Sequence, residues 1–222
     1  MRNLRSSFLS AGVLAVALCV LTPLSAWAQT GDRPVGVGGK AAWNLSRVRG
    51  EAIADAGELI DFGTGNGFSV GGVLAFGAGP NVTIQPEFLY SRKQVQADLS
   101  FAGVNADGSI DTDWFEIPVI VKLHGERARG ARPFGLVGVT TSFLVNAEET
   151  VSALGMTVTE DIKDELTGTD FGLTFGGGVD FLQDWGMFTV DARYTLGLRR
   201  LPEEGDDDVK QDTFAISGGF IF

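Results

Sequence analysis

The sequence predicts an all-β fold: an eight-stranded antiparallel up-and-down transmembrane β-barrel preceded by a cleaved signal peptide. Three observations lead there. The N-terminus carries a short apolar leader, large apolar residues alternate with small or charged ones along most of the chain, and the connections between alternating stretches are strictly long, then short. Alternation with period two is the mark of a strand, and about ten residues of tilted strand suffice to cross the hydrocarbon of a bilayer.

The leader comes first. Arg2 and Arg5 precede an apolar stretch from Phe8 to Leu21, and Pro23, Ser25, Ala26, Trp27 and Ala28 follow it. A basic start, a short apolar core and small residues at Ala26 and Ala28 predict a secretory signal over 1–28 with cleavage before Gln29; the apolar stretch is short for a membrane-spanning helix. The barrel domain is then 29–222. Cys19, the only cysteine, lies within the leader and follows Leu18 rather than a small residue, so no lipoprotein processing is expected there and no thiol or disulfide in the mature chain. Without Arg2 and Arg5 the mature part holds 15 basic residues against 28 acidic ones, a formal net charge of −13. Nucleic acid is not an expected partner of such a chain.

The strands follow from the alternation, clearest at the C-terminus. Phe214, Ile216, Gly218, Phe220 and Phe222 alternate with Thr213, Ala215, Ser217, Gly219 and Ile221, and before them Phe188, Val190, Ala192, Tyr194, Leu196 and Leu198 oppose Thr189, Asp191, Arg193, Thr195, Gly197 and Arg199. The same pattern runs through Phe171–Phe181, Phe115–Leu123, Val82–Tyr90, Phe68–Phe76 and Val35–Leu45. Within Phe134–Asn146, Val137, Val139, Phe143 and Val145 keep the phase while Phe134 and Leu136 break it, which predicts a bulge. In a membrane barrel the apolar face points to lipid and the small or charged face fills the lumen.

The connections separate a barrel from a sandwich. Short ones lie at 79–81, 126–131 and 184–186, long ones at 47–66, 98–112, 147–168 and 202–210. Such alternation suits a barrel with both termini periplasmic and long loops outside, whereas Greek-key crossovers give no reason for it. The long segments hold 18 of the 28 acidic residues, so the outer rim is expected to be acidic, while Arg127, Arg129 and Arg132 make one periplasmic turn basic.

Trp114-Phe115-Glu116-Ile117-Pro118-Val119, running into Val121-Lys122-Leu123, resembles the strand motif of the PorT-like outer-membrane β-barrel domain family, and the overall pattern matches over 35–222. The resemblance implies a bacterial outer-membrane barrel, with membrane lipids and lipopolysaccharide around it. A terminal aromatic, here Phe222, resembles the C-terminal signal read by the barrel assembly machinery. Pro118 cannot donate to a ladder, so a bulge or a missing hydrogen bond is expected at that point.

The residues are weak candidates for chemistry. Inward positions collect Lys40, Glu87, Lys93, Glu116, Lys122, Asp180, Asp191, Arg193 and Arg199, both signs in near balance, which predicts a narrow lumen plugged by paired charges rather than a pore. His124 is the only histidine. A lipid A deacylase is similar in size and uses a Ser, His and acidic triad near the outer leaflet, but His124 falls at the periplasmic end of its strand and reads as a rim residue. No catalytic, cofactor or metal site is expected: one histidine and no mature cysteine leave only carboxylates, and Glu203, Glu204, Asp206, Asp207 and Asp208 lack the spacing of an EF-hand. Gly36-Val37-Gly38-Gly39 and Gly176-Gly177-Gly178 open no helix, so they read as tight strand packing rather than phosphate cradles. Trp43, Trp114, Trp185 and Tyr90 read as an interfacial aromatic belt. These observations predict a non-enzymatic surface barrel acting in envelope integrity or contact with external partners through acidic loops; a lipid-modifying enzyme and a small diffusion channel are the alternatives.

Overall fold

A computed structural model of the chain describes residues 35–49, 60–101, 104–153, 156–163, 166–199 and 210–222. The expected signal peptide, its cleavage point and the acidic run from Glu203 to Asp208 lie outside the described residues. Ten strands follow one another: β1 Val35–Arg49, β2 Ile60–Gly63, β3 Gly65–Gly79, β4 Val82–Phe101, β5 Val104–His124, β6 Ala131–Ala153, β7 Met156–Asp161, β8 Thr169–Gln183, β9 Gly186–Gly197 and β10 Lys210–Ile221. Eight of them form a ring of antiparallel neighbours in chain order, β1-β3-β4-β5-β6-β8-β9-β10, and β10 pairs back onto β1 from Gly38↔Ile221 to Arg49↔Lys210. No helix among the described residues is long and apolar enough to cross a membrane.

Alternation sets the two faces as expected. Trp43, Phe68, Val70, Phe88, Phe115, Phe171, Phe175, Phe188 and Ile216 are exposed on the outside, and the residues between them are buried within the ring. One end carries the tight connections after β3, β5 and β8 together with Val35 and Phe222, and is called here the turn end; the other is the hairpin end. At the turn end Trp185 stacks on Phe220 at 5.0 Å and Phe220 meets Phe222 edge-on at 4.7 Å, part of an aromatic girdle.

The structure corrects two expectations about the strands, the long connections and the position of the bulge, and agrees with a third, at Pro118. Two of the long connections, 98–112 and 147–168, are largely strand: β4, β5 and β6 have 20, 21 and 23 residues, far more than a bilayer crossing requires. β2 pairs β4 and β7 pairs β6, so β2-β4-β5-β6-β7 continue as a five-stranded sheet beyond the ring at the hairpin end. Sequence alternation vanishes there because both faces are wet and need no apolar residue. Cross-strand hydroxyl pairs replace it, Thr150 with Thr159 at 3.1 Å and Ser152 with Thr157 at 3.0 Å.

The bulge predicted near Phe134 is displaced. β6 pairs β8 without a break from Ala131↔Phe181 to Phe143↔Thr169, and Phe134 and Leu136 are apolar residues pointing inward, packed with Ile120. The register shift occurs at Val145, the extra residue between Trp114↔Leu144 and Asp113↔Asn146. At Pro118 the second of the two expected outcomes holds, a gap in the ladder rather than a bulge: the β4–β5 register is the same on both sides, at Pro86↔Val119 and Leu89↔Glu116, with pairing interrupted between them. A missing amide donor interrupts pairing without needing an extra residue.

The glycine runs do serve close approach. A Cβ on Gly178 would lie 2.1 Å from the Val190 carbonyl oxygen and 2.7 Å from the Phe134 ring, and one on Gly38 would lie 1.9 Å from the Phe220 oxygen.

Candidate functional site

Among the described residues, the interior of the ring gathers buried ionisable groups, and it does so in layers. Nearest the turn end, β5 turns Lys122 and His124 inward to meet Asp180 of β8 and Thr189 of β9. Lys122 is fully buried; its Nζ lies 3.3 Å from Asp180 Oδ1, donates to Thr189 Oγ1 at 3.2 Å and sits 4.1 Å from the Phe134 ring centroid. His124 Nε2 is 3.0 Å from Thr83 Oγ1, its ring packs edge-on against Phe134, and Nδ1 is 3.6 Å from Asp180 Oδ2, too long for a good hydrogen bond.

The middle layer is a closed quartet. Arg193 of β9 donates through Nη1 and Nη2 to Glu87 of β4 at 2.9 and 3.1 Å, and through Nε to Asp191 at 2.8 Å. Lys40 of β1 completes it, 2.7 Å from Asp191 Oδ2 and 3.2 Å from Glu87 Oε1. Gln85 Nε2 donates to Glu87 Oε1 at 2.7 Å. Two cations and two carboxylates thus neutralise one another across the ring, the condition under which buried charge is tolerated.

Toward the hairpin end Lys93 Nζ lies 2.7 Å from Glu116 Oε1, and Ser91 donates to Glu116 Oε2 at 2.6 Å. Hydroxyl and amide groups extend this layer from Ser91 to Ser69 and Asn44. Above it Trp114, 1 % exposed, packs with Leu144, Ala147 and Ile162, and its Nε1 donates to Thr112 Oγ1 at 2.9 Å. Between the quartet and the Lys93–Glu116 pair a cavity of about 40 Å³ remains, lined in part by Lys40, Asn44, Glu116, Thr140, Arg193 and Ser217, polar and large enough for a few waters.

Eight of the nine inward charges predicted from the alternation are therefore in the lumen, four of each sign. Arg199 is not: it lies beyond the end of β9 and is exposed, since alternation carries no information past the last paired residue. His124 is not an open rim residue but a buried one, because its strand turns it inward behind Phe134. Trp114 leaves the aromatic belt for the lumen, in phase with Glu116 and Thr112; Trp43, Tyr90 and Trp185 are exposed. The alternation places Gln85, Ser91, Thr83 and Thr189 inward but gives no sign of them as partners of the charges, because it fixes which face a side chain takes and not which side chains meet across the lumen.

What this arrangement can do chemically is limited by its closure. His124 meets a threonine rather than a serine, with its second nitrogen short of a hydrogen bond to Asp180, and the whole group lies behind the ring wall. No cluster of three or more His, Cys, Asp or Glu suited to a metal occurs among the described residues.

Several solved structures are similar to this chain. Ail, the attachment invasion locus protein of Yersinia pestis, is 16% identical over 86% of this chain and 100% of its own, with a TM-score of 0.38. Neisserial surface protein A is 14% identical over 86% and 98%, with a TM-score of 0.46. The N-terminal β-barrel domain of OprF from Pseudomonas aeruginosa is 12% identical over 82% and 97%, with a TM-score of 0.34. Scores at this level carry no argument about activity. No functionally curated protein matches the chain. The model of the outer membrane protein β-barrel domain matches residues 27–202, most of the sequence and seven of the eight ring strands, and the chain therefore belongs to the outer membrane protein β-barrel domain family.

Proposed function

We propose that this outer-membrane barrel is non-enzymatic and works outside the bilayer, in envelope integrity or contact with external partners, through its acidic hairpins. The observation that supports this reading is a lumen filled by four cations and four carboxylates paired with one another, which leaves neither a wide path for solutes nor an open catalytic group. The part that varies from a minimal barrel is the five-stranded extension, where Glu148, Glu160 and Asp161 are exposed. Val35 and Phe222 lie at the turn end, which in this reading faces the periplasm, and the apolar outer face contacts membrane lipid and, in the outer leaflet, lipopolysaccharide. Within the family we place the chain nearest the PorT-like barrels on its Trp114–Leu123 strand. Phe222, exposed and next to Phe220, is in position to be read by the assembly machinery.

The test replaces the β4–β5 hairpin beyond the paired residues Gln94 and Asp111 by a two-residue Asn-Gly turn. The barrel is expected to assemble in the outer membrane while cells lose detergent tolerance or surface binding. Unchanged cells carrying a correctly assembled, shortened barrel would refute the proposal. An epitope inserted between Phe101 and Val104 should be labelled on intact cells; labelling only after permeabilisation would reverse the orientation.

A further inference from the structure

The turn end carries a basic turn whose backbone geometry suits its glycine but not its arginine. Ala128 and Ala131 exchange both hydrogen bonds at 2.9 Å, closing a two-residue turn over Arg129 and Gly130. Both central residues have positive φ, 51° for Arg129 and 82° for Gly130. Such a turn favours Gly, Asn or Asp at its first central position, and an arginine gains nothing from the backbone there. Nothing in local folding accounts for the charge at Arg129.

The turn is also rigidly placed. Arg132, next to it, donates through Nε to the Gly125 oxygen at 3.3 Å and through Nη2 to Asn81 Oδ1 at 2.9 Å and the Pro80 oxygen, fastening the neighbouring β3–β4 turn. On the other side Leu182 N donates to the Gly130 oxygen at 2.8 Å, which ties it to the end of β8 beside Trp185. Arg127 and Arg129 are exposed and have no ion pair among the described residues; Glu126 and Asp184, the acids at this end, are exposed as well. The girdle formed by Trp185, Phe220 and Phe222 sets the membrane interface at this level, so the two free guanidinium groups stand at headgroup depth.

We infer that Arg127 and Arg129 form a docking surface for the phosphates of net-negative phospholipid headgroups, of which phosphatidylglycerol is the working example. Guanidinium groups match phosphate oxygens in fork geometry, and the preformed turn presents Arg129 beside Arg127 without a backbone ordering cost. A zwitterionic headgroup offers the same phosphate with its charge cancelled, so the surface discriminates by net charge.

The inference rests on the membrane-spanning reading but not on which way the barrel faces, because symmetric vesicles present the same lipid to both ends. The protein carrying Trp27→Phe and Trp43→Phe is reconstituted in phosphatidylcholine vesicles containing brominated phosphatidylglycerol, or brominated phosphatidylcholine in equal amount. Trp185 then reports lipid at the turn, since Trp114 is shielded within the lumen. Trp185 should be quenched more by brominated phosphatidylglycerol, with a local enrichment of about fivefold per arginine that falls as salt is raised. Arg127→Gln with Arg129→Asn should abolish the preference in a folded barrel, because asparagine suits the positive φ. Equal quenching by the two lipids, or a preference that survives in the double variant, would overturn the inference.

Discussion

Removing Arg193 from the lumen tests whether the interior is a closed ionic scaffold or a hydrated channel. In Arg193→Ala, Glu87 keeps Lys40 at 3.2 Å and Gln85 at 2.7 Å, while Asp191 keeps only Lys40 at 2.7 Å. Three charge-assisted hydrogen bonds disappear, and the layer is left with one uncompensated negative charge. Breaking a fully buried pair costs about 3–5 kcal/mol, an exposed one about 0–1 kcal/mol. Arg193 lines the 40 Å³ cavity, so water can follow the lost side chain and soften the penalty, which places the expected loss near the lower end, about 3 kcal/mol. Urea unfolding of the barrel in lipid vesicles, extrapolated linearly to water, measures it. The companion Arg193→Met with Glu87→Gln keeps the lumen neutral and leaves Lys40 with Asp191, so at least half of the loss should return. Planar-bilayer recording of the wild type should give negligible steady conductance. A loss below about 1 kcal/mol for Arg193→Ala together with sustained wild-type conductance would mean hydrated charges, and the scaffold argument would fail.

The other expectations address single contacts. Lys122→Met strands Asp180 behind the ring wall and should lower the thermal midpoint markedly, whereas Lys122→Met with Asp180→Asn should recover most of it; a double variant as unstable as the single would show that packing around Phe134, not charge, is responsible. Gly178→Ala drives a methyl into the Val190 carbonyl and the Phe134 ring and should cost about 1–3 kcal/mol, while Gly218→Ala, whose nearest contact would be Phe188 at 3.9 Å, should be close to neutral by the same unfolding assay. Phe222 is 65 % exposed, so Phe222→Ala should change folded stability by less than about 1 kcal/mol yet lower assembly yield in cells several-fold; equal losses in both would refute an assembly-signal role.

What the sequence revealed and what it hid divide along one physical line. Where a strand lies in lipid, one face must be apolar, and alternation such as that of Phe188 to Leu198 reports both strand and facing; the eight ring strands and the short turns are legible for that reason. Above the membrane the requirement lapses. Thr150, Ser152, Thr157 and Thr159 can pair as strand without any apolar partner, so β7 and the extended ends of β4 to β6 read as loop. Inward apolar residues were ambiguous for a related reason: Phe134 and Leu136 fill the lumen opposite small residues such as Gly178, and period two cannot separate an inward phenylalanine from a bulge. The charges themselves were visible, but not their pairing, since Lys40 and Asp191 are 151 residues apart and meet only when the ring closes.

The pairing matters more for specificity than for raw stability. Apolar residues of matching shape could fill the same space at similar or lower free energy, so the charges are poorly explained as a source of stability. Their geometry explains them better. Lys40 lies on β1, Glu87 on β4 and both Asp191 and Arg193 on β9, strands that are not neighbours in the ring, and Lys122 on β5 reaches Asp180 on β8 across β6. A one-residue slip of any of these strands would turn its charge outward into lipid and leave its partners unpaired inside, a far larger penalty than misplacing one leucine. The ionic layers therefore fix closure and register from within, independently of anything beyond the hairpin end. A barrel whose register is secured in this way can carry strands of very different length above the membrane, as β5 and β9 do with 21 and 12 residues, and this freedom allows the exposed hairpins to take on a role outside the bilayer.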